Sequence, residues 1–142
     1  MADSPDDAFT LISAVSRTLK TTVERRLIEH GVYAGQHTIL GCLWEHDGLT
    51  PGQLARRLGL ETPTITRTVQ RMAAAGLVSR RGDDTDKRLV RVWLTPKGSA
   101  LRRVIPRILN QVRSEVFCDL TRHDQATLAQ LLSRVRQPQP GD

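Results

Sequence analysis

Residues 77–98 read LVSRRGDDTDKRLVRVWLTPKG. Two short apolar-alternating runs, 77–81 and 89–94, flank a tip that holds Gly82, three Asp and the Lys87–Arg88 pair. Runs of this kind separated by Gly and polar residues read as a β-hairpin. Placed beside a basic helix, such a hairpin would be a small ribbon reaching towards a nucleic-acid backbone.

The segment just upstream supplies that helix. Residues 62–75 put Ile65, Val69 and Met72 on one side, with Thr68 beside them, and Thr64, Arg67, Gln70 and Arg71 on the other. Thr62 is expected to cap this helix, with Pro63 in its first position, where a missing N–H costs nothing. Before it, Gly59–Leu60–Glu61 makes a turn, and Thr50 caps a short helix that opens at Pro51 and buries Leu54, Ala55 and Leu58. Two such helices joined by a Gly-containing turn form a helix-turn-helix. A helix over 36–45 precedes them, with Ile39, Leu40, Leu43 and Trp44 inward.

Both ends of the chain read as longer helices. From 8 to 30, Phe9, Ile12, Val15, Leu19, Val23 and Leu27 recur every three or four residues, and Gly31 stops the pattern. Residues before Ala8 read as a loose arm. After Thr95–Pro96 a long helix is expected, striped by Leu101, Val104, Ile105, Ile108, Leu109 and Val112 and kinked at Pro106. A last helix over 124–135 carries Leu128, Leu131, Leu132 and Val135, and the tail QPQPGD reads as disordered. The whole, residues 1–142, is expected to be one domain, with a DNA-binding module over 36–98. The flanking helices, 8–30 and 96–136, carry wide apolar stripes with little to bury against in one subunit. Only 4% of the residues are aromatic, which also suits a helical protein that completes its core with a second copy.

The chain carries a formal charge of +6. Residues 62–103 alone hold ten Lys or Arg against three Asp, a surplus of +7. Charge concentrated in one segment resembles an electrostatic footprint for an anionic polymer more than a solvated coat. Cys42 and Cys118 are far apart, without metal-ligand spacing, and point to a reducing compartment. The four His show no i, i+4 pair, so no metal site is expected. The acidic start is unlike a signal peptide, and no apolar run approaches the ~18 residues of a membrane span. A cytoplasmic, nucleoid-associated location is expected, without a cofactor. No G-x-S-x-G, phosphate loop or nucleophile–base pair suggests an enzyme.

The candidate DNA-contacting residues are Thr62, Thr64, Thr66, Arg67, Gln70 and Arg71 on the helix and Lys87 and Arg88 on the hairpin. Arg bonds guanine through two donors, Gln bonds adenine, and Thr meets a thymine methyl or a phosphate. The plainer alternative for the arginines is a solvated helix face. Asp83, Asp84 and Asp86 would repel phosphates if all faced the DNA. A charge-assisted bond from an Asp two residues before Arg88 would instead fix the guanidinium, which makes Asp83 and Asp86 candidate wing-orienting residues. A plain Asp-rich turn is the alternative.

These motifs together resemble the MarR (multiple antibiotic resistance regulator) family of bacterial winged-helix regulators. Its pattern, roughly D-x-x-D-x-R, then an alternating strand, then L-T-x-x-G, matches Asp83, Asp86, Arg88, Leu94, Thr95 and Gly98. TPTITRTVQRMAAAGLVSRR resembles the family's recognition helix and first wing strand, and LTPGQLARRLGL its preceding helix. The resemblance implies a mainly α fold with a small β wing: a winged helix-turn-helix flanked by N- and C-terminal dimerisation helices. It implies a homodimer on a pseudo-palindromic double-stranded operator, repressing a neighbouring gene and released by a small anionic or aromatic effector. Family ligand sites lie between the first, second and fifth helices, where His37, Trp44, His46 and Arg103 are the candidates here. The rival readings are a redox-responsive regulator using Cys42 or Cys118 and a non-specific architectural DNA-binding protein.

Overall fold

A computed structural model describes residues 5–135, so the expected disorder of the QPQPGD tail lies outside the described residues. The elements in order are α1 (Pro5–Ile28), α2 (Gln36–Glu45), α3 (Pro51–Leu58), α4 (Thr62–Ala74), β1 (Val78–Gly82), β2 (Val90–Leu94), α5 (Pro96–Ala100), a 3₁₀ turn (Leu101–Arg103), α6 (Ile105–Val116) and α7 (Arg122–Ser133). The fold is mainly α with a small β wing.

The core gathers around the helix-turn-helix. Ile39, Leu40 and Leu43 of α2, Leu54 and Ala55 of α3, and Ile65, Val69 and Met72 of α4 are buried together with Leu77, Val78 and Val92 of the wing base. Leu27 at the end of α1 and Val32 in the connection after it close this cluster, as does Ile105 at the start of α6. Fully burying each aliphatic side chain stabilises the fold by about 1.5–3 kcal/mol, so the three core residues of α4 fix its inner face firmly.

α3 begins with a complete capping box. Thr50 accepts from the Gln53 amide, and the Gln53 side chain accepts from the Thr50 amide. The cap of α4 differs from expectation. Glu61 occupies the N-cap without a side-chain bond, and Thr62 is already helical. α1 also begins before the expected Ala8, at Pro5, and takes Asp6 and Asp7 into its first turn. Acidic residues there complement the positive end of the helix dipole.

The largest departure follows the wing. The single kinked helix expected after Thr95 is instead α5, one 3₁₀ turn and α6. Pro106 sits in the first turn of α6. It has no N–H to donate, and its ring excludes the carbonyl four residues back, so the ladder restarts at Ile105 instead of bending through. The last helix begins earlier than expected, at Arg122. Thr121 and Asp124, which read as a break, form its capping box.

β1 and β2 pair antiparallel, from Val78 with Leu94 to Gly82 with Val90. A third rung comes from the α2–α3 connection: Leu49 bridges to Val92, and the Gly48 amide donates to the Val92 carbonyl at 3.0 Å. Gly48 has φ +75°, and a Cβ there would lie 2.5 Å from the Trp93 ring. Asp47 Oδ1 accepts from the Leu94 amide at 2.9 Å and the Gly48 amide at 3.0 Å. The wing is thus pinned to the end of α2 as well as to α4.

Candidate nucleic-acid interface

On α4 the helical repeat sorts the residues cleanly. Thr62, Thr64, Arg67, Gln70 and Arg71 are exposed, while Ile65, Val69 and Met72 face the core. Thr66 is half-buried and returns its hydroxyl to the Thr62 carbonyl at 3.0 Å. Thr68, expected inward, is also half-buried and donates to the Thr64 carbonyl at 2.9 Å.

The wing tip is built on Asp83. Its Oδ2 accepts from the Thr85 hydroxyl at 2.7 Å, the Asp86 amide at 2.9 Å and the Thr85 amide at 3.2 Å. Its Oδ1 accepts from Arg91 Nε, and Arg91 Nη1 continues to the Gly48 carbonyl at 2.9 Å. The Arg91 guanidinium foremost, then the Thr85 hydroxyl and the Asp86 amide, hold the Asp83 carboxyl well below the usual carboxylate range. The tip therefore keeps this anion throughout the physiological pH range.

Asp86 serves the next arginine. Its Oδ1 accepts from the Arg88 amide at 3.0 Å and from Arg88 Nε at 3.2 Å. The Arg88 side chain remains 91% exposed, and its two terminal nitrogens bond no other described residue. Lys87 is exposed beside it. The two aspartates thus have different partners: Asp86 restrains Arg88, and Asp83 ties the tip to Arg91 and through it to the α2–α3 connection.

A cleft of about 360 Å³ lies between the wing and the N-terminal half of α4, and it brings Thr62 and Thr66 together with Arg88. Arg80 of β1 and the first residues of α3 share it. The local charge surplus sorts by use. Arg91 is spent on Asp83, Lys97 donates to the Ala75 carbonyl at the end of α4, and Arg102 donates to the Trp44 carbonyl at the end of α2. The side chains of Arg67, Arg71, Arg80, Arg81 and Lys87 form no hydrogen bond or ion pair with other described residues. In the sequence these cations look alike; only the three-dimensional partners separate structural ones from available ones. Arg80 was not anticipated as a cleft residue, although strict alternation along β1 carries that signal.

The four candidate ligand residues have separate surroundings. His37 is half-buried and lines a cleft with Leu19, Lys20, Val23 and Glu24, where burial pushes its pKa down and Glu24 opposes the shift. Trp44 is half-buried and its indole donates to the Gly98 carbonyl at 3.0 Å. His46 is exposed, 3.3 Å from Arg57 through Nδ1. Arg103 is exposed on the 3₁₀ turn. Cys42 is half-buried, and burial pushes its thiol up, while Cys118 is exposed. No group of three His, Cys, Asp or Glu among the described residues is arranged to hold a metal ion, and none of their helices is long and apolar enough to cross a membrane.

The MarR family model matches residues 32–90. The HTH-type transcriptional regulator TtmR of Methylorubrum extorquens (strain PA1) is 37% identical over 76 residues, which cover 54% of this chain and 39% of that protein. A mutant MarR from E. coli complexed with operator DNA superposes with a TM-score of 0.82 at 28% identity, over 90% of this chain and 92% of the other. A MarR transcriptional regulator from Methanosarcina mazei Go1 gives a TM-score of 0.79 at 25% identity, over 90% and 93% of the two chains. The family match falls on the helix-turn-helix and the wing tip, where α4, Asp86 and Arg88 are assembled, and the structural likeness extends through the flanking helices. Residues 32–90 of this chain match the MarR family model, and its fold is that of the MarR transcriptional regulators it resembles.

Proposed function

We propose that the protein is a sequence-specific DNA-binding regulator, a cytoplasmic homodimer that represses a neighbouring gene and leaves its operator when a small anionic or aromatic ligand binds. The observation that carries this reading is the shared cleft, where Thr62 and Thr66 of α4 face Arg88 of the wing. An α-helix fits the major groove and reads base edges with its N-terminal residues. An arginine on a thin ribbon gains from the focused negative potential of a narrow minor groove. The operator complex of the structurally similar E. coli protein supports the same assignment.

Dimerisation is supported by what one subunit leaves bare. Leu11, Ile12 and Val15 of α1 and Leu131 and Leu132 of α7 are exposed, and the first three share an apolar groove with Phe117, Leu128 and Leu132. A contiguous apolar surface of this kind marks an association site. Light scattering at micromolar concentration is expected to return the mass of a dimer; a monomer would overturn the architecture. Two-fold symmetry then places two α4 helices on half-sites about one helical turn apart.

Selection of bound sequences from random DNA tests the function. The expected product is a pseudo-palindrome, and repeating the selection with phenolic and other anionic ligands identifies the effector class. Binding without sequence preference but with a steep salt slope would mark an architectural protein instead. The His37 cleft is the ligand site we favour, because it opens between α1 and α2 with Lys20 at its edge. Peroxide is expected to change operator affinity equally little in the wild type and in Cys42→Ser. A response lost only in the variant would make Cys42 an oxidant sensor.

A further inference from the structure

Arg80 is exposed on β1 and pairs in register with the fully buried Val92. Residues directly opposite on an antiparallel ladder project to the same face. Arg80 therefore leaves the wing on the face that Val78 and Val92 turn towards the core, and Arg81 with its partner Arg91 leaves on the other. Past the edge of the core, that first face looks across the cleft at α4. Arg80 and Arg88 lie on the wing side, and Thr62, Thr66 and Val69 on the helix side. The Arg80 guanidinium has no hydrogen bond or ion pair with another described residue.

A protein that reads a major groove with a helix and the adjacent minor groove with a ribbon must straddle one phosphodiester strand, because a line of phosphates separates the two grooves. The gap between helix and ribbon is the place that strand occupies. We propose that Arg80 binds a phosphate of the straddled strand. The proposal rests on the DNA-binding reading above and adds a contact that fixes the spacing between the helix reading and the wing reading. A phosphate contact sets register and orientation and carries no base preference of its own. It also adds one released counterion to the binding equilibrium.

The test compares wild type, Arg80→Ala, Arg80→Lys and Arg88→Ala on the selected operator and on unrelated duplex of equal length, across a salt titration. Arg80→Ala is expected to bind both DNAs about tenfold more weakly, with its plot of log affinity against log salt shallower by about 0.9. Its ranking of single-base operator variants stays that of the wild type, Arg80→Lys recovers most of the loss, and the melting temperature does not move. Arg80→Ala with wild-type affinity and slope overturns the proposal, and so does a changed ranking of base variants, which would make Arg80 a base reader. A wild type that binds no duplex overturns the parent reading, an outcome visible before any Arg80 variant is measured.

Discussion

Gly98→Ala is expected to lower the stability of the folded protein by about 2–4 kcal/mol, combining overpacking with a strained hydrogen bond. A Cβ on Gly98 would sit 2.1 Å from the Leu77 carbonyl oxygen, which is backbone and has no rotamer through which to withdraw. That oxygen also accepts from the Thr95 amide at 3.2 Å, so α5 lies directly on the first residues of the wing. Displacing α5 would strain the bond from the Trp44 indole to the Gly98 carbonyl, and with it the link from the wing base to α2. The melting temperature should fall by roughly 5–15 °C for a domain of this size. Gly41→Ala is the matched control. Gly41 lies inside α2, and a methyl group there would meet nothing within 4 Å, so alanine should stabilise by about 0.5–1 kcal/mol. Equal melting temperatures for Gly98→Ala and wild type would remove the steric account of the L-T-x-x-G motif.

That motif shows what the sequence could and could not convey. Thr95 and Pro96 announce a helix start by cap chemistry, and Thr95 does accept from the Gly98 amide at 3.2 Å. Nothing local to Gly98 says that a carbonyl from 21 positions earlier lies against it, since close approach between distant segments leaves no periodic trace. The core of the helix-turn-helix was legible for the opposite reason. Ile65, Val69 and Met72 recur at the helical repeat, and burial follows from that repeat alone. Pro106 was visible but ambiguous: a proline inside an apolar stripe can bend a helix or end one, and the stripe through Leu101 and Ile105 favoured bending. The outcome here is a restart, with a 3₁₀ turn absorbing the change.

Charges were the least legible part of the site. Arg88 and Arg91 are both cationic, three residues apart on the wing, and look equivalent in a count. Their partners divide them, since Asp83 draws Arg91 inward against the Gly48 carbonyl and Asp86 holds Arg88 from behind. The role of Asp47 and Gly48 in fixing β2 was likewise hidden, because the third rung of the sheet comes from a connection rather than from a strand-like run.

Arg88→Ala is expected to weaken operator binding by ~1–3 kcal/mol, the range of a good groove contact, which is roughly a five- to 150-fold loss of affinity. The side chain is 91% exposed, so folding should be unaffected and the loss should appear in binding alone. The role of Asp86 then follows from two opposed effects. Its charge repels nearby phosphates, yet its Oδ1 fixes Arg88 Nε at 3.2 Å and leaves the terminal nitrogens available to the DNA. An exposed pair of this kind contributes little to stability, so its value lies in ordering a side chain that would otherwise lose its freedom on binding. If aiming outweighs repulsion, Asp86→Ala binds operator more weakly than wild type but better than Arg88→Ala. The double variant is then no worse than Arg88→Ala alone, because an aiming residue has no effect once its target is gone. Tighter binding by Asp86→Ala would show that repulsion dominates, and unchanged operator affinity in Arg88→Ala would sink the wing assignment itself.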